Sequence, residues 1–195
     1  MSSVYSRVEF RCRNCGESSE QLVYRHIDAV AEPELKARVL SGELFLFTCP
    51  HCGFKSLADS PVIYRDEHLL VCLSDRSLSV EGLEDLHGRL VSDVGSLIEK
   101  VKIFDAGLDD VPLELCKFVT RQELGKDVDF KFLRLDGADN DIILAYPEGG
   151  QMQMLAIGFN VYEDCRAIVN RNPSLLEGVH GLVRVDRQWV EQFLR

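Results

Sequence analysis

Short apolar runs separated by polar turns dominate the first 73 residues of the chain, and runs of this length are typical of strands; in the first of them apolar residues stand two to four apart among polar ones, as in a half-buried strand. The runs predict strands at residues 4–10, 21–30, 43–48, 62–64 and 68–73. A short helix is predicted between the second and third strands, because Pro33 suits a first helical position and Gly42 can end the helix. The polar stretch 74–82 is predicted to be a loop.

The apolar spacing becomes helical near residue 90. One helical face is formed by Leu90, Val94, Leu97, Ile98 and Val101, at spacings of 4, 3, 1 and 3. Gly107 interrupts this pattern, and a second helix is predicted to begin after Asp109, whose side chain can cap it.

From residue 129 the apolar period is two, which predicts three strands joined as a meander. The strands cover residues 130–135, 142–145 and 152–157, with turns at 136–137 and 148–150. Asn160 is predicted to cap a helix that reaches Val169, and Asp186 to cap a last helix after a short strand at 182–185.

The composition is that of an ordinary globular protein, with 46% hydrophobic and 28% charged residues among 195. No apolar run approaches the ~20 residues needed to cross a membrane. The first residues lack the basic and apolar regions of a signal peptide. We therefore expect a cytoplasmic protein without a membrane partner.

Acidic residues are concentrated after residue 60. Residues 1–60 contain seven Lys or Arg and eight Asp or Glu, whereas the other 135 residues contain fifteen and twenty-four, which accounts for the net charge of -10. Non-specific binding of nucleic acid requires a cationic face. The net charge therefore disfavours nucleic acid as a partner.

Four of the seven cysteines stand in two copies of one motif, Cys-x-x-Cys-Gly. The first copy contains Cys12 and Cys15, the second contains Cys49 and Cys52, and 33 residues separate the two pairs. Two residues between ligands allow both sulfurs to reach one ion, and a following Gly takes a positive φ without a Cβ clash. Four thiolates in a tetrahedron are typical ligands of structural Zn²⁺. We therefore predict one structural Zn²⁺ ion bound by these four cysteines, although the insert between the pairs is longer than usual.

A redox dithiol is the main alternative for Cys49 and Cys52. Their tetrapeptide, with Pro50 and His51 between them, also occurs in periplasmic thiol oxidases, where it opens a helix and has a lowered thiol pKa. Here Gly53 and the residues after it do not form a helix of useful length, and the first motif would have no role. Thiols without a metal are a third possibility.

Other groups with the chemistry of a site have simpler structural explanations. Three further cysteines lie among apolar neighbours, as buried cysteines usually do: Cys72, Cys116 and Cys165. Two acidic clusters consist of Asp105, Asp109, Asp110 and Glu114, and of Asp136, Asp139, Asn140 and Asp141. The first can bind a hard cation, but helix capping explains it equally well, and the second lacks the Gly and distal Glu of a Ca²⁺ loop. The sequence contains no catalytic triad motif, no phosphate-binding Gly loop and no paired-histidine metal motif.

The cysteine motifs extend into longer stretches that have the character of a family. These stretches are Cys12–Gly16, Leu40–Gly53, Leu97–Val101 and Ile103–Asp110. Together they resemble the CpXC family, whose Cys-Pro-x-Cys stands intact at Cys49–Cys52, and the resemblance covers roughly residues 5–120. It supports the metal prediction and implies no reaction.

These observations predict an α+β fold, in which a zinc-ribbon-like pair of knuckles is attached to a mainly antiparallel sheet with packed helices. We divide the chain into a zinc-binding domain, 1–125, and a C-terminal α+β extension, 126–195, packed on the first.

A complete Cys₄ set leaves no open position for catalysis. The leading hypothesis is therefore a non-enzymatic, structural zinc-binding protein that binds another macromolecule, chiefly protein. The alternatives are a thiol-disulfide oxidoreductase that uses Cys49 and Cys52, and a nucleic-acid-binding zinc ribbon. The sequence identifies no small-molecule ligand.

Overall fold

A computed structural model describes residues 2–58, 60–74 and 86–193 of the chain. The chain divides into two compact units, Met1–Ile98 and Glu99–Arg195. The domain boundary predicted at residue 125 is a statement about which part of the chain folds independently, which the division into units does not test, so it stays a prediction. The predicted loop 74–82 lies outside the described residues except for Ser74. Among the described residues, every helix is too short or too polar to cross a membrane.

Five strands of the first unit lie side by side in one sheet, in the order β1-β2-β5-β6-β7. They are β1 (Val4–Arg11), β2 (Ser18–Asp28), β5 (Val62–Arg65), β6 (Leu69–Leu73) and β7 (His87–Val91). The β1–β2 and β5–β6 pairs are antiparallel hairpins, whereas β2–β5 and β6–β7 are parallel. Parallel neighbours require a crossover, and the chain between β2 and β5 is the segment that contains the second cysteine motif.

That crossover consists of a helix and a small ribbon. Its elements are α1 (Glu34–Leu40), β3 (Leu46–Thr48) and β4 (Lys55–Leu57), and β3 pairs antiparallel with β4. The strand predicted at 43–48 is correct only from Leu46. Gly42 adopts a positive φ of 77° and Glu43–Phe45 forms a 3₁₀ turn, which buries Phe45. The sequence pattern does not predict β4, because three residues are too few to show a period.

The second unit combines helices with a three-stranded antiparallel sheet in the order β10-β9-β8. Its elements are α3 (Asp110–Leu124), β8 (Lys131–Asp136), β9 (Asp141–Glu148), β10 (Gln151–Ile157), α4 (Phe159–Arg171), α5 (Ser174–Glu177), β11 (Leu182–Val183) and α6 (Arg187–Phe193). The helix α2 (Val94–Asp105) contains the boundary between the units. The predicted meander is therefore confirmed, and so are the α+β class and the predominance of antiparallel pairing.

The core of the second unit lies between α3, α4 and the inner face of its sheet. Alternate residues of β9, Ile142, Leu144 and Tyr146, are buried there against Phe132 and Leu115. Because the side chains of a strand alternate between the two faces of a sheet, the period of two places these residues on one side. Burial of this apolar surface is the main source of the unit's stability.

Two predicted helix starts are wrong. Leu90 belongs to β7, and α2 begins only at Val94, after Asp93 accepts a hydrogen bond of 2.7 Å from the backbone N–H of Ser96. Asn160 lies inside α4, which begins after Gly158. The predicted caps at Asp109 and Asp186 are confirmed, since their carboxylates accept backbone N–H groups at 3.0 Å.

Candidate metal centre

Each cysteine motif forms a tight turn between two antiparallel strands. In the first turn, the backbone N–H of Cys12 donates to the carbonyl of Glu17 at 2.8 Å, and the N–H of Gly16 donates to the carbonyl of Cys12 at 2.9 Å. Gly16 has a φ of 77°, which a residue with a Cβ rarely adopts. The turn connects β1 to β2, so the end of β1 positions the first pair of thiols.

The second turn repeats this geometry. The backbone N–H of Cys49 donates to the carbonyl of Phe54 at 2.9 Å, and the N–H of Gly53 donates to the carbonyl of Cys49 at 2.9 Å. Gly53 has a φ of 72°. Because this turn connects β3 to β4, both motifs are knuckles at the tips of hairpins; the knuckles were predicted at strand ends, whereas the hairpin partner β4 was not.

The two knuckles bring the four cysteine sulfurs together. All four sulfurs lie within 4.8 Å of one another. The Sγ atoms of Cys12 and Cys52 are 3.7 Å apart, and so are those of Cys15 and Cys49. Four sulfurs at ~2.3 Å from one tetrahedral ion would be separated by about 3.8 Å. The spacing of the sulfurs therefore fits a single ion with four thiolate ligands.

A small apolar cluster holds the knuckles beside each other. Phe10 at the end of β1 stacks on Phe47 of β3, with ring centroids 5.6 Å apart. Cys12, Cys49 and Ala58 complete this cluster and are almost fully buried. The first cysteine of each motif is therefore packed inside, whereas the second cysteine of each motif is exposed.

The electrostatics of the sulfurs favour binding of a cation. The pKa of Cys52 is lowered to about 6, because Asn14 Nδ2 lies 3.6 Å from its sulfur and the backbone N–H of Phe54 also donates to it. A hydrogen bond from the backbone N–H of Glu17 lowers the pKa of Cys15, but the partial desolvation of its sulfur and the three neighbouring sulfurs outweigh it and raise this pKa to about 12. Four thiolates at this spacing repel one another unless a cation compensates their charge. The donor set can therefore hold a soft divalent metal ion.

Other candidate residues do not join this group. Among the described residues, the four cysteines are the only group of three or more His, Cys, Asp or Glu side chains arranged to hold a metal ion. Cys72 is fully buried, and burial raises its pKa to about 11. Asp109 caps α3. Asp136 and Asp141 lie opposite each other where β8 and β9 meet at their turn.

The structure contains a second concentration of charge, of which the sequence alone identifies only Asp110 and Glu114, as part of a predicted capping cluster; in the structure both acids pair with buried lysines. The buried charge cluster consists of Glu99, Lys100, Asp110, Glu114 and Lys117, all at most 6% exposed. Lys117 Nζ lies 2.5 Å from Glu99 and 2.9 Å from Glu114, and Lys100 Nζ lies 2.7 Å from Asp110. For the lysines, the signal in the sequence is the spacing of three residues between Glu114 and Lys117 on one helix.

Further contacts complete the network around Glu99. Its carboxylate accepts the backbone N–H of Phe132 at 2.7 Å and pairs with the half-exposed Lys131 at 3.2 Å. Burial raises the pKa of Glu99, but the ammonium groups of Lys117, Lys131 and Lys100 outweigh it and lower the pKa to about 2. The charges of the cluster are therefore balanced: three buried carboxylates stand against two buried lysines and the half-exposed Lys131. We interpret it as a structural network.

Comparison with known proteins adds one match. A family model described as CpXC protein matches residues 10–117, which is more than half of the chain and includes both knuckles. No curated protein and no solved structure shows significant similarity to the chain.

Proposed function

The chain belongs to the CpXC protein family, and from this premise we propose that it is a zinc-stabilised, non-enzymatic module that binds another protein. The observation that carries the proposal is the convergence of the four cysteine sulfurs at tetrahedral spacing. A metal held by four protein ligands keeps no open position for substrate or water, which is the arrangement of structural rather than catalytic zinc.

The chemistry of the donors favours zinc over harder cations, and four cysteines in a tetrahedron are the usual ligand set of structural zinc. Thiolates are soft ligands that select zinc or iron in a tetrahedral S₄ site. We place the protein in the reducing cytoplasm, where paired cysteines serve as metal ligands more often than as disulfides. The ion would fix the ends of two hairpins that have only a small apolar cluster between them.

A protein partner is supported by the apolar surface near the small ribbon. Leu46 and Leu57 are opposite each other in the β3–β4 pair and are 41% and 48% exposed. A small groove beside them is lined by residues of β2 and of the segment before β3, including Leu22 and Leu44. Exposed apolar side chains grouped around a groove are typical of sites that bind other proteins. The net charge of -10 for the chain as a whole disfavours nucleic acid as the partner.

Metal analysis of the purified chain tests the zinc assignment. We expect one zinc per chain, and chelation should increase the number of thiols that titrate rapidly by about four. Cys49→Ser should lose the metal, whereas Cys72→Ser, outside the site, should keep it. Stoichiometric iron, or full zinc retention by Cys49→Ser, would contradict the assignment.

Capture of partners tests the module. The zinc-loaded chain should retain proteins from its native cell after nuclease treatment, and Leu46→Ser with Leu57→Ser should release them. Leu124→Ser, an equally exposed leucine on α3, is the control and should keep them. Capture that depends on nucleic acid would favour the zinc-ribbon alternative. Catalytic disulfide exchange that is lost in Cys49→Ser but retained in Cys12→Ser would instead identify an oxidoreductase.

A further inference from the structure

The two edges of the sheet in the second unit differ in how they are protected. Strand β8 carries the charged residues Lys131, Arg134 and Asp136, and its register shifts between Phe132 and Arg134. Charges and bulges on an edge strand prevent it from pairing with another strand. Strand β10, at the opposite edge, has neither a charged residue nor a register shift over its seven residues.

Strand β10 is also exposed and uncharged in an acidic environment. Met152 and Met154 are 62% and 66% exposed. The segment 149–162 contains no charged residue, although the unit Glu99–Arg195 contains twelve Lys or Arg and seventeen Asp or Glu, a net charge of -5. Among the described residues, no strand pairs with the outer side of β10.

The turn before β10 determines which backbone groups face outward. Gly149 and Gly150 both have positive φ, 59° and 77°, as in a two-residue type I′ turn. In such a hairpin the flanking residues, here Glu148 and Gln151, form a hydrogen-bonded pair. The backbone N–H and C=O groups of every second residue from Gln151 onwards therefore face β9. The N–H and C=O groups of residues 152, 154 and 156 therefore point away from β9.

We propose that two copies of the chain associate by antiparallel pairing of β10 with itself, about a two-fold axis at Met154. In this register Met154 faces Met154 of the second copy, and Met152 faces Ala156. The three outward-facing residues of each strand would then exchange about six N–H···O bonds, two for each pair. At the other two positions a long side chain faces a short one, so methionine faces methionine only at the axis.

A second copy suits this edge because of its charge. A two-fold contact places each residue near its own equivalent, so any charge on the strand would face a like charge. The uncharged strand β10 avoids this repulsion. Self-association through an acidic surface of the unit would instead bring like charges together. A contact through one edge strand of seven residues is expected to bury less than the ~1,200 Å² of a stable complex, so we expect a weak dimer, with a Kd on the order of 10–100 µM.

Sedimentation equilibrium of the full, zinc-loaded chain at concentrations from about 5 to about 300 µM, which bracket this expected Kd, tests the proposal. We expect a monomer–dimer equilibrium, and Met154→Lys should weaken it by about 100-fold because two ammonium groups would meet at the axis. Ile168→Lys adds the same charge at an exposed site on α4 and should leave the dimer unchanged. A chain that remains monomeric at the highest concentration, or equal dimerisation of Met154→Lys and the native chain, overturns the proposal.

Hydrogen exchange of the native chain provides a test without a variant. The amides of Met152, Met154 and Ala156 should exchange rapidly at low concentration and become protected as concentration rises. The inward-facing amides of Gln153 and Leu155 should be protected throughout. Concentration-dependent protection elsewhere but not at these three amides would place the dimer on another surface and refute the pairing of β10.

Discussion

Replacement of Lys117 by Met is expected to destabilise the second unit by about 3–5 kcal/mol, the usual cost of leaving a buried charge without its partner. Lys117 is only 2% exposed and its ammonium group lies between Glu99 and Glu114. Without it, three buried acids face one buried lysine, Lys100, and the rim lysine, Lys131.

The magnitude agrees with the electrostatics of Glu99. Burial raises its pKa, but the lysines, of which Lys117 has the largest effect, lower the pKa from 4.5 to about 2. A shift of this size corresponds to about 3 kcal/mol in favour of the charged form. The loss of Lys117 removes the largest of these favourable contributions and leaves Glu114 with Lys100, at 3.6 Å.

A double-mutant cycle separates the charge imbalance from the loss of packing. Glu99→Gln in the Lys117→Met background removes one of the three buried acids and leaves Asp110 and Glu114 with Lys100, so the charge imbalance is smaller. We therefore expect the double variant to lose less stability than the two single losses added together. The amide introduced by Glu99→Gln is uncharged, and its oxygen can still accept the backbone N–H of Phe132, so this hydrogen bond is kept.

Urea denaturation followed by the fluorescence of Trp189, the only tryptophan of the chain, measures the stability of the second unit. Lys126→Met is the matched control, because Lys126 forms an exposed pair with Glu148 and its loss should change the midpoint little. If Lys117→Met unfolds at the urea concentration of the native chain, or if the losses in the cycle are additive, the buried pairs do not contribute as argued.

Three further outcomes are expected. The folded pKa of Glu99 lies below its unfolded value, so the stabilisation by its charged form is complete above pH ~4.5 and is lost as the pH falls towards about 2. The urea midpoint of Glu99→Gln should therefore depend less on pH in this interval than that of the native chain. The urea midpoint of the control, Glu148→Gln, should depend on pH as that of the native chain does. Cys49→Ser should lower the melting temperature of the first unit, because structural zinc contributes to folding on the order of 10 kcal/mol in small fingers and part of that here; an unchanged melting curve in calorimetry would contradict this. Residues 126–195 alone should not unfold cooperatively, because α3 supplies buried side chains such as Val111 and Leu115 to their core; a cooperative transition by circular dichroism would show an independent domain.

Local patterns in the sequence are sufficient for the features that depend on a few neighbouring residues. Each knuckle is specified by two cysteines and a glycine, because Gly16 and Gly53 must adopt a positive φ immediately after the second thiol. The meander is predictable because alternating apolar residues and Gly-containing turns act over two to eight residues. These signals are contained in the chain segment that they shape, so no tertiary information is needed to detect them.

The tertiary structure decided the features that depend on contacts between distant segments. Leu90 lies in β7, which pairs with β6, and this sheet contact overrides the helical spacing that Leu90 shares with Val94. Glu99 and Lys117 are buried because each meets an opposite charge on another element, whereas the sequence alone predicts that such residues are exposed. Cys12 and Cys52 are 40 positions apart in the sequence, and their predicted convergence likewise depends on the strands that bring the two knuckles together. The energy of a charge, a strand edge or a thiol depends on what surrounds it in space, and that is determined only when the segments pack.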